Sequence, residues 1–110
     1  LLKLFLILFS ITLSLFASQV QNYKWQNGES YLMFLQRLHL PHKHLYYDLD
    51  KDDKRLTKEI RAGINYQLLR NNNIILQALL PLNNELQIHI YKKDKIYKFE
   101  IIPIISTTKT

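Results

Sequence analysis

The chain has no cysteine, only 2 glycines and 3 prolines, one tryptophan and one methionine in 110 residues. Without cysteine there can be no disulfide framework, thiolate zinc site or thiol nucleophile. With glycine confined to Gly28 and Gly63, there is no Gly-rich loop to cradle a phosphate and no Gly-x-Ser-x-Gly elbow to expose a nucleophilic serine. The same scarcity of glycine and proline excludes fibrous and low-complexity classes. What is present is a globular composition, 47% hydrophobic and 22% charged, in a length that suits one small domain. Lys+Arg 15 against Asp+Glu 9 gives a net charge of +6. That excess points to an anionic partner or surface without choosing among nucleic acid, phospholipid and wall polymer.

The first segment points to a compartment. Lys3 precedes an unbroken apolar and hydroxyl run from Leu4 to Phe16, then the small pair Ala17-Ser18 and polar Gln19, Gln21 and Asn22. This reads as a secretory signal peptide cut after Ala17, too short for the roughly 20 apolar residues of a spanning helix. Leu15, two residues before the cut, is larger than such sites favour, so an uncleaved anchor is the rival reading; both put the rest of the chain outside the cytoplasm, and the expected location is the periplasm. The expected organisation is residues 1–17 signal peptide, 18–24 a short linker, 25–105 a single domain and 106–110 a polar tail.

Within that domain the spacing predicts helices first and strands second. After Asn27-Gly28-Glu29-Ser30, which supplies N-cap candidates, Tyr31, Phe34, Leu35 and Leu38 recur at helical spacing until Leu40-Pro41. Leu45 and Leu49 suggest a shorter helical piece. Asp50, Asp52 and Asp53 then precede Leu56 and Ile60, with Lys54, Arg55, Lys58 and Arg61 toward the far end, an order that suits the helix dipole. From Gly63 the period becomes two: Ile64, Tyr66 and Leu68 alternate with polar residues, Asn71-Asn72-Asn73 makes a turn, and Ile74 to Leu80 is a strand ended by Pro81. Leu86, Ile88 and Ile90 alternate likewise. Lys92-Lys93-Asp94-Lys95 then turns the chain into Ile96 to Ile102. The expected fold is α+β, two to three short helices followed by about four antiparallel strands.

Several constellations bear on chemistry. His39, His42 and His44 form the densest histidine cluster, with His42-x-His44 overlapping His44-x-x-x-Asp48. Two imidazoles and a carboxylate can close a zinc site. Sharing one histidine between both patterns crowds the ligands onto one segment, however, so the cluster reads as a solvated loop. Asp48, Asp50, Asp52 and Glu59 fit part of a calcium-loop spacing, but Asp53 stands where that loop needs glycine, and Arg55 and Leu56 also depart from it. An acidic helix N-terminus explains the same residues without an ion. Tyr91, Lys92, Lys93, Lys95, Tyr97 and Lys98 interleave aromatics and cations as a nucleic-acid surface does. The exported N-terminus argues against nucleic acid, and the lysines read as guarding a sheet edge or facing anionic wall polymer. No metal site and no cofactor is expected.

The order Gly28-Glu29-Ser30-Tyr31, Phe34-Leu35, Leu38, Leu40-Pro41, Leu45, Asp50, Leu56, Ile60-Arg61-Ala62-Gly63 and Tyr66 resembles the N-terminal module of peptidoglycan endopeptidases of the LytM/lysostaphin type. There a Gly-Asp/Glu-Ser/Thr start, two helices and an Ile/Leu-Arg-x-Gly turn form a LysM-like unit. The continuation, Leu80-Pro81-Leu82, Glu85 to Tyr91, Tyr97 and Phe99 to Ile104, is similar to the group that sets cell shape in curved and helical Gram-negative bacteria. The resemblance runs from about Trp25 to Ile104.

The resemblance implies a DD-endopeptidase or carboxypeptidase family whose zinc lies in a later catalytic domain, held by a His-x-x-x-Asp and a distant His-x-His. The chain given stops at Ser106-Thr107-Thr108-Lys109-Thr110. It is therefore expected to be a truncated, non-catalytic member, autoinhibitory or wall-targeting, and not an enzyme by itself. In latent relatives the first domain offers a carboxylate to the zinc, and Glu59 is the candidate for that role, with Glu29 as the rival already explained by capping. Trp25, Tyr31 and Tyr46 are candidate sugar-stacking residues. The implied partners are peptidoglycan or a LytM-type catalytic domain, with the membrane met only through an uncleaved signal segment. The alternative is a stand-alone periplasmic peptidoglycan-binding or adaptor protein.

Overall fold

The computed structural model describes residues 19–104, so the expected signal peptide and its cut after Ala17 lie outside the described residues. The chain enters through strand β1 (Gln19–Lys24) and then makes a helical excursion. This excursion comprises α1 (Tyr31–Arg37), one wide π turn (Lys43–Tyr47), α2 (Lys51–Leu56) and a 3₁₀ turn (Thr57–Glu59). It returns as β2 (Asn65–Asn71), β3 (Ile74–Pro81), β4 (Leu86–Lys93) and β5 (Ile96–Pro103). The strands form one five-stranded sheet in sequence order, and every neighbouring pair is antiparallel.

This corrects the expected α+β fold of helices followed by strands, and with it the LysM-like front. The protein is mostly β, its first described element is a strand, and its helices are only 7 and 6 residues long. Helices that short are not stable alone; α1 buries Tyr31, Phe34 and Leu35 in the core, whereas α2 buries no residue fully. β1 falls in the stretch expected to be a linker. Gln19-Val20-Gln21-Asn22-Tyr23-Lys24 has almost no apolar alternation of its own, and it becomes a strand by pairing with β2, which sets Tyr23 opposite Tyr66 and Gln21 opposite Leu68. Backbone pairing is a long-range property that local periodicity does not reveal.

The helical excursion is closed at its base by backbone hydrogen bonds. Trp25 N–H donates to the Ile64 carbonyl (2.9 Å) and Gly63 N–H donates to the Trp25 carbonyl (2.8 Å). Gly63 makes this turn at φ +87°, a left-handed conformation that glycine adopts without steric cost. Ser30 caps α1 by accepting from Met33 N–H at 3.1 Å. The far end of α1 is a Schellman motif: Leu40 N–H reaches the Leu35 carbonyl, His39 N–H reaches the Gln36 carbonyl, and His39 takes φ +58° where glycine is usual. α2 is capped by Asp50, whose side chain accepts from Asp53 N–H at 2.8 Å.

One face of the sheet carries the core. Tyr66, Leu68, Ala78, Leu80, Ile88 and Ile90 point toward Phe34, Leu35 and Leu45 from the helical side, and all are buried. An aromatic cluster ties the excursion down: Trp25, Phe34 and Tyr66 pack with centroids 5.3–5.7 Å apart, and Tyr31 meets Phe99 of β5 edge-on at 6.3 Å. The β4–β5 hairpin turns through Asp94 and Lys95, both at positive φ, the type I′ geometry that matches the twist of paired strands.

Candidate functional site

The helical excursion borders a half-open cavity of about 240 Å³ lined by Trp25, Glu29, Ser30, Tyr31, Tyr46 and Thr57, among others. The three candidate stacking aromatics are therefore gathered in one place, but Trp25 and Tyr31 are 3% and 4% exposed. Trp25 donates its indole N–H to the Glu29 carbonyl at 2.9 Å, and Tyr31 donates its hydroxyl to the Leu45 carbonyl at 2.8 Å. Their rings are committed to the core, and burial pushes the Tyr31 phenol well above its ordinary pKa. Tyr46 is half-buried, tilted against Tyr31 at 6.3 Å, with the Lys54 ammonium 5.6 Å from its ring centre.

The two candidate carboxylates have opposite environments. The Glu29 side chain is 7% exposed and bridged by Arg37, from Nη2 at 2.9 Å and Nε at 3.0 Å. Arg37 also donates to the Tyr66 hydroxyl at 3.1 Å. Burial opposes the guanidinium charge, but the hydrogen bonds to Tyr66 and Glu29 outweigh it and raise the Arg37 pKa. Glu29 Oε1 is buried without a partner among the described residues. Glu29 is thus an internal tie between the α1 cap and the sheet. Glu59 stands at the end of the 3₁₀ turn with its side chain 44% exposed, 3.4 Å from Arg55, and lines an open cleft of about 330 Å³ with Lys58, Arg61, Leu82 and Asn83.

The other constellations resolve into local structure. His39 caps α1, and His44 Nδ1 lies 3.7 Å from Asp48 while Lys43 holds the same carboxylate at 2.9 Å. Among the described residues, no group of three His, Asp or Glu side chains converges on a metal position. Asp50 is the N-cap of α2. Asp53 has its pKa raised by desolvation and then by the charges of Asp50 and Asp52. On the β4–β5 hairpin Lys92 lies over the Tyr97 ring at 5.3 Å, and the Tyr97 hydroxyl donates to the Ile75 carbonyl at 2.7 Å.

Sequence reasoning passed over His89. On the sheet face away from the core it sits between Glu100 (Nδ1 to Oε2, 2.7 Å) and Gln77 (Nε2 to Oε1, 2.8 Å) and stacks on Tyr91 at 4.8 Å. The alternation of β4 already put His89 on that face. Its partners come from the register, which sets it beside Leu79 of β3 and Glu100 of β5.

A family model described as Csd3 N-terminal matches residues 22–104. The chain belongs to the Csd3 N-terminal family. Two solved structures of Helicobacter pylori Csd3, from hexagonal and orthorhombic crystals, are each 44% identical to it over 77% of this chain, with TM-scores of 0.73 and 0.72. Comparison with curated proteins found no match. The chain spans only 23% of the length of those solved Csd3 chains. The Csd3 N-terminal match begins inside β1 and ends just past β5, so the helical excursion, its cavity and Glu59 all lie within it. This agrees, at the level of the family, with the resemblance of the residue order to the front module of the cell-shape-determining LytM group.

Proposed function

We propose that this chain serves as the exported, non-catalytic N-terminal module of a LytM-type cell-wall peptidase, holding a catalytic domain latent and so taking part in wall remodelling and cell shape. Its membership of the Csd3 N-terminal family over residues 22–104 carries the reading. Glu59 is the inhibitory carboxylate in this proposal. A group that must reach a zinc ion in another domain has to be exposed and on an element tip, as Glu59 is, whereas Glu29 is enclosed and held by Arg37. An anionic oxygen competes directly with water for the open position of a catalytic zinc site, which is why a carboxylate suits the task. The Arg55 contact is long and exposed, so breaking it costs little, roughly 0–1 kcal/mol.

The test is inhibition in trans. Purified LytM-type endopeptidase domain is assayed on isolated peptidoglycan with increasing amounts of the chain, as parent and as Glu59→Ala. Inhibition by the parent, weakened about tenfold or more in the variant, is the expected result; a tenfold change corresponds to about 1.4 kcal/mol of lost binding. Equal inhibition by both proteins removes Glu59 from the role. No inhibition together with co-sedimentation on peptidoglycan turns the reading to a wall-targeting module.

A further inference from the structure

Beside Glu59 the turn that leads into β2 and the loop between β3 and β4 face one another across a second, wider cleft. It has a volume of about 600 Å³ and is lined by Arg61, Asn65, Asn83 and Asn84 over a floor that includes Leu82. Arg61 lines both this cleft and the adjoining one that holds Lys58. Both walls are fixed by their own hydrogen bonds. On one side the turn is held by Gly63 N–H to the Trp25 carbonyl and Ile64 N–H to the Arg61 carbonyl. On the other, Asn83 Oδ1 accepts from the backbone N–H groups of Glu85 and Leu86, each at 2.8 Å.

Those bonds decide which atoms remain for a ligand. The Asn83 carbonyl oxygen is engaged by the loop, and the Asn65 carbonyl oxygen accepts from Lys24 Nζ at 3.1 Å. The Asn83 amide has only its NH₂ donor left, and the Asn65 amide has its NH₂ donor and one lone pair on Oδ1. Arg61 and Lys58 are exposed and, among the described residues, in no ion pair or side-chain hydrogen bond, while the nearby Glu59 makes a long, exposed contact with Arg55. The concavity therefore presents one free guanidinium and side-amide donors over a small apolar floor, with the Lys58 ammonium and the Glu59 carboxylate in the adjoining cleft. Such a set is complementary to an oxyanion, and the guanidinium fork favours a planar carboxylate.

We infer that this cleft binds the terminal carboxylate of a short peptide, with Arg61 as the principal contact and the asparagine amides on the adjoining peptide group. This site is separate from the proposed inhibitory role of Glu59, and binding to it requires no peptidase.

The probe is N-acetyl-dialanine, titrated into the isotope-labelled full chain and followed by amide NMR shifts. The expected result is saturable binding in the range of about 1 mM, with shifts centred on Arg61, Asn65 and Asn84, and at least tenfold weaker binding for Arg61→Gln. The same peptide as its C-terminal amide is expected not to bind. Asn84→Ala, on an exposed loop position, is a second variant that leaves the charges in place and is expected to weaken binding several-fold. Equal binding of acid and amide, tighter binding of inorganic phosphate than of the peptide acid, an unchanged affinity for Arg61→Gln, or no binding at about 20 mM peptide would each overturn the inference.

Discussion

Replacing Tyr31 with phenylalanine tests the idea that one buried hydroxyl holds the π turn against α1. In the parent the phenol donates to the Leu45 carbonyl at 2.8 Å inside the core, with Tyr31 only 4% exposed. Tyr31→Phe keeps the ring and its contacts with Phe34 and Phe99 but deprives a buried carbonyl of that donor. Such a loss costs about 1–2 kcal/mol. In a domain of this size each kcal/mol moves Tm by about 4–8 °C, so a fall of roughly 5–15 °C at pH 7 is expected. The pH dependence gives an independent reading. Burial raises the Tyr31 pKa above its unfolded value, so the stability this group contributes is present below about pH 10 and is lost as pH rises toward the folded pKa. The Tyr97 phenol is shifted the same way by burial and donates to the Ile75 carbonyl, so the variant should keep part of the alkaline slope and lose part. Thermal and urea denaturation followed by circular dichroism at pH 7 and above pH 10 measures both effects. A variant that melts within a degree of the parent at pH 7 and loses stability equally in alkali would refute the argument.

His39→Gly at the left-handed end of α1 should raise stability by about 0.5–1 kcal/mol, because the residue stands at φ +58° in a Schellman motif that glycine fits without strain; a lower Tm would show that the imidazole has contacts worth more than the strain. Asp53→Asn should stabilise the chain at neutral pH and have little effect near pH 3. The Asp53 pKa is raised by desolvation and by Asp50 and Asp52, so the parent loses stability as pH rises through the carboxylate range and the asparagine variant does not. Urea midpoints at the two pH values test this, and a neutral-pH midpoint lowered by the substitution would contradict it.

The strands after Gly63 were legible because their side chains alternate on their own. Tyr66 and Leu68, and Leu86, Ile88 and Ile90, follow the buried face of the sheet, and the turns at Asn72 and Asp94-Lys95 fall where asparagine, aspartate and lysine clusters announced them. The caps Ser30 and Asp50 were legible for the same local reason. β1 was not, since its strand identity comes from pairing with a segment more than 40 residues away in the chain. The short helical piece around Leu45 was legible, but its wide π geometry over Lys43–Tyr47 and its tie to Tyr31, 14 residues away, were not. Of the candidate site, Trp25, Tyr31 and Tyr46 line one cavity, and only packing shows that Trp25 and Tyr31 are core.

Composition and residue order alone established the absence of cysteine chemistry in the given sequence, the positions of four strands and their turns, and the family resemblance, because those properties reside in local chemistry and spacing. The tertiary structure alone decided that the fold is mostly β. It also separated Glu29 from Glu59 by enclosing one and exposing the other, and brought Arg61, Asn65, Asn83 and Asn84 to one cleft. Burial and the convergence of groups distant in the chain depend on how elements pack, and a local pattern of residues carries no record of what will cover them.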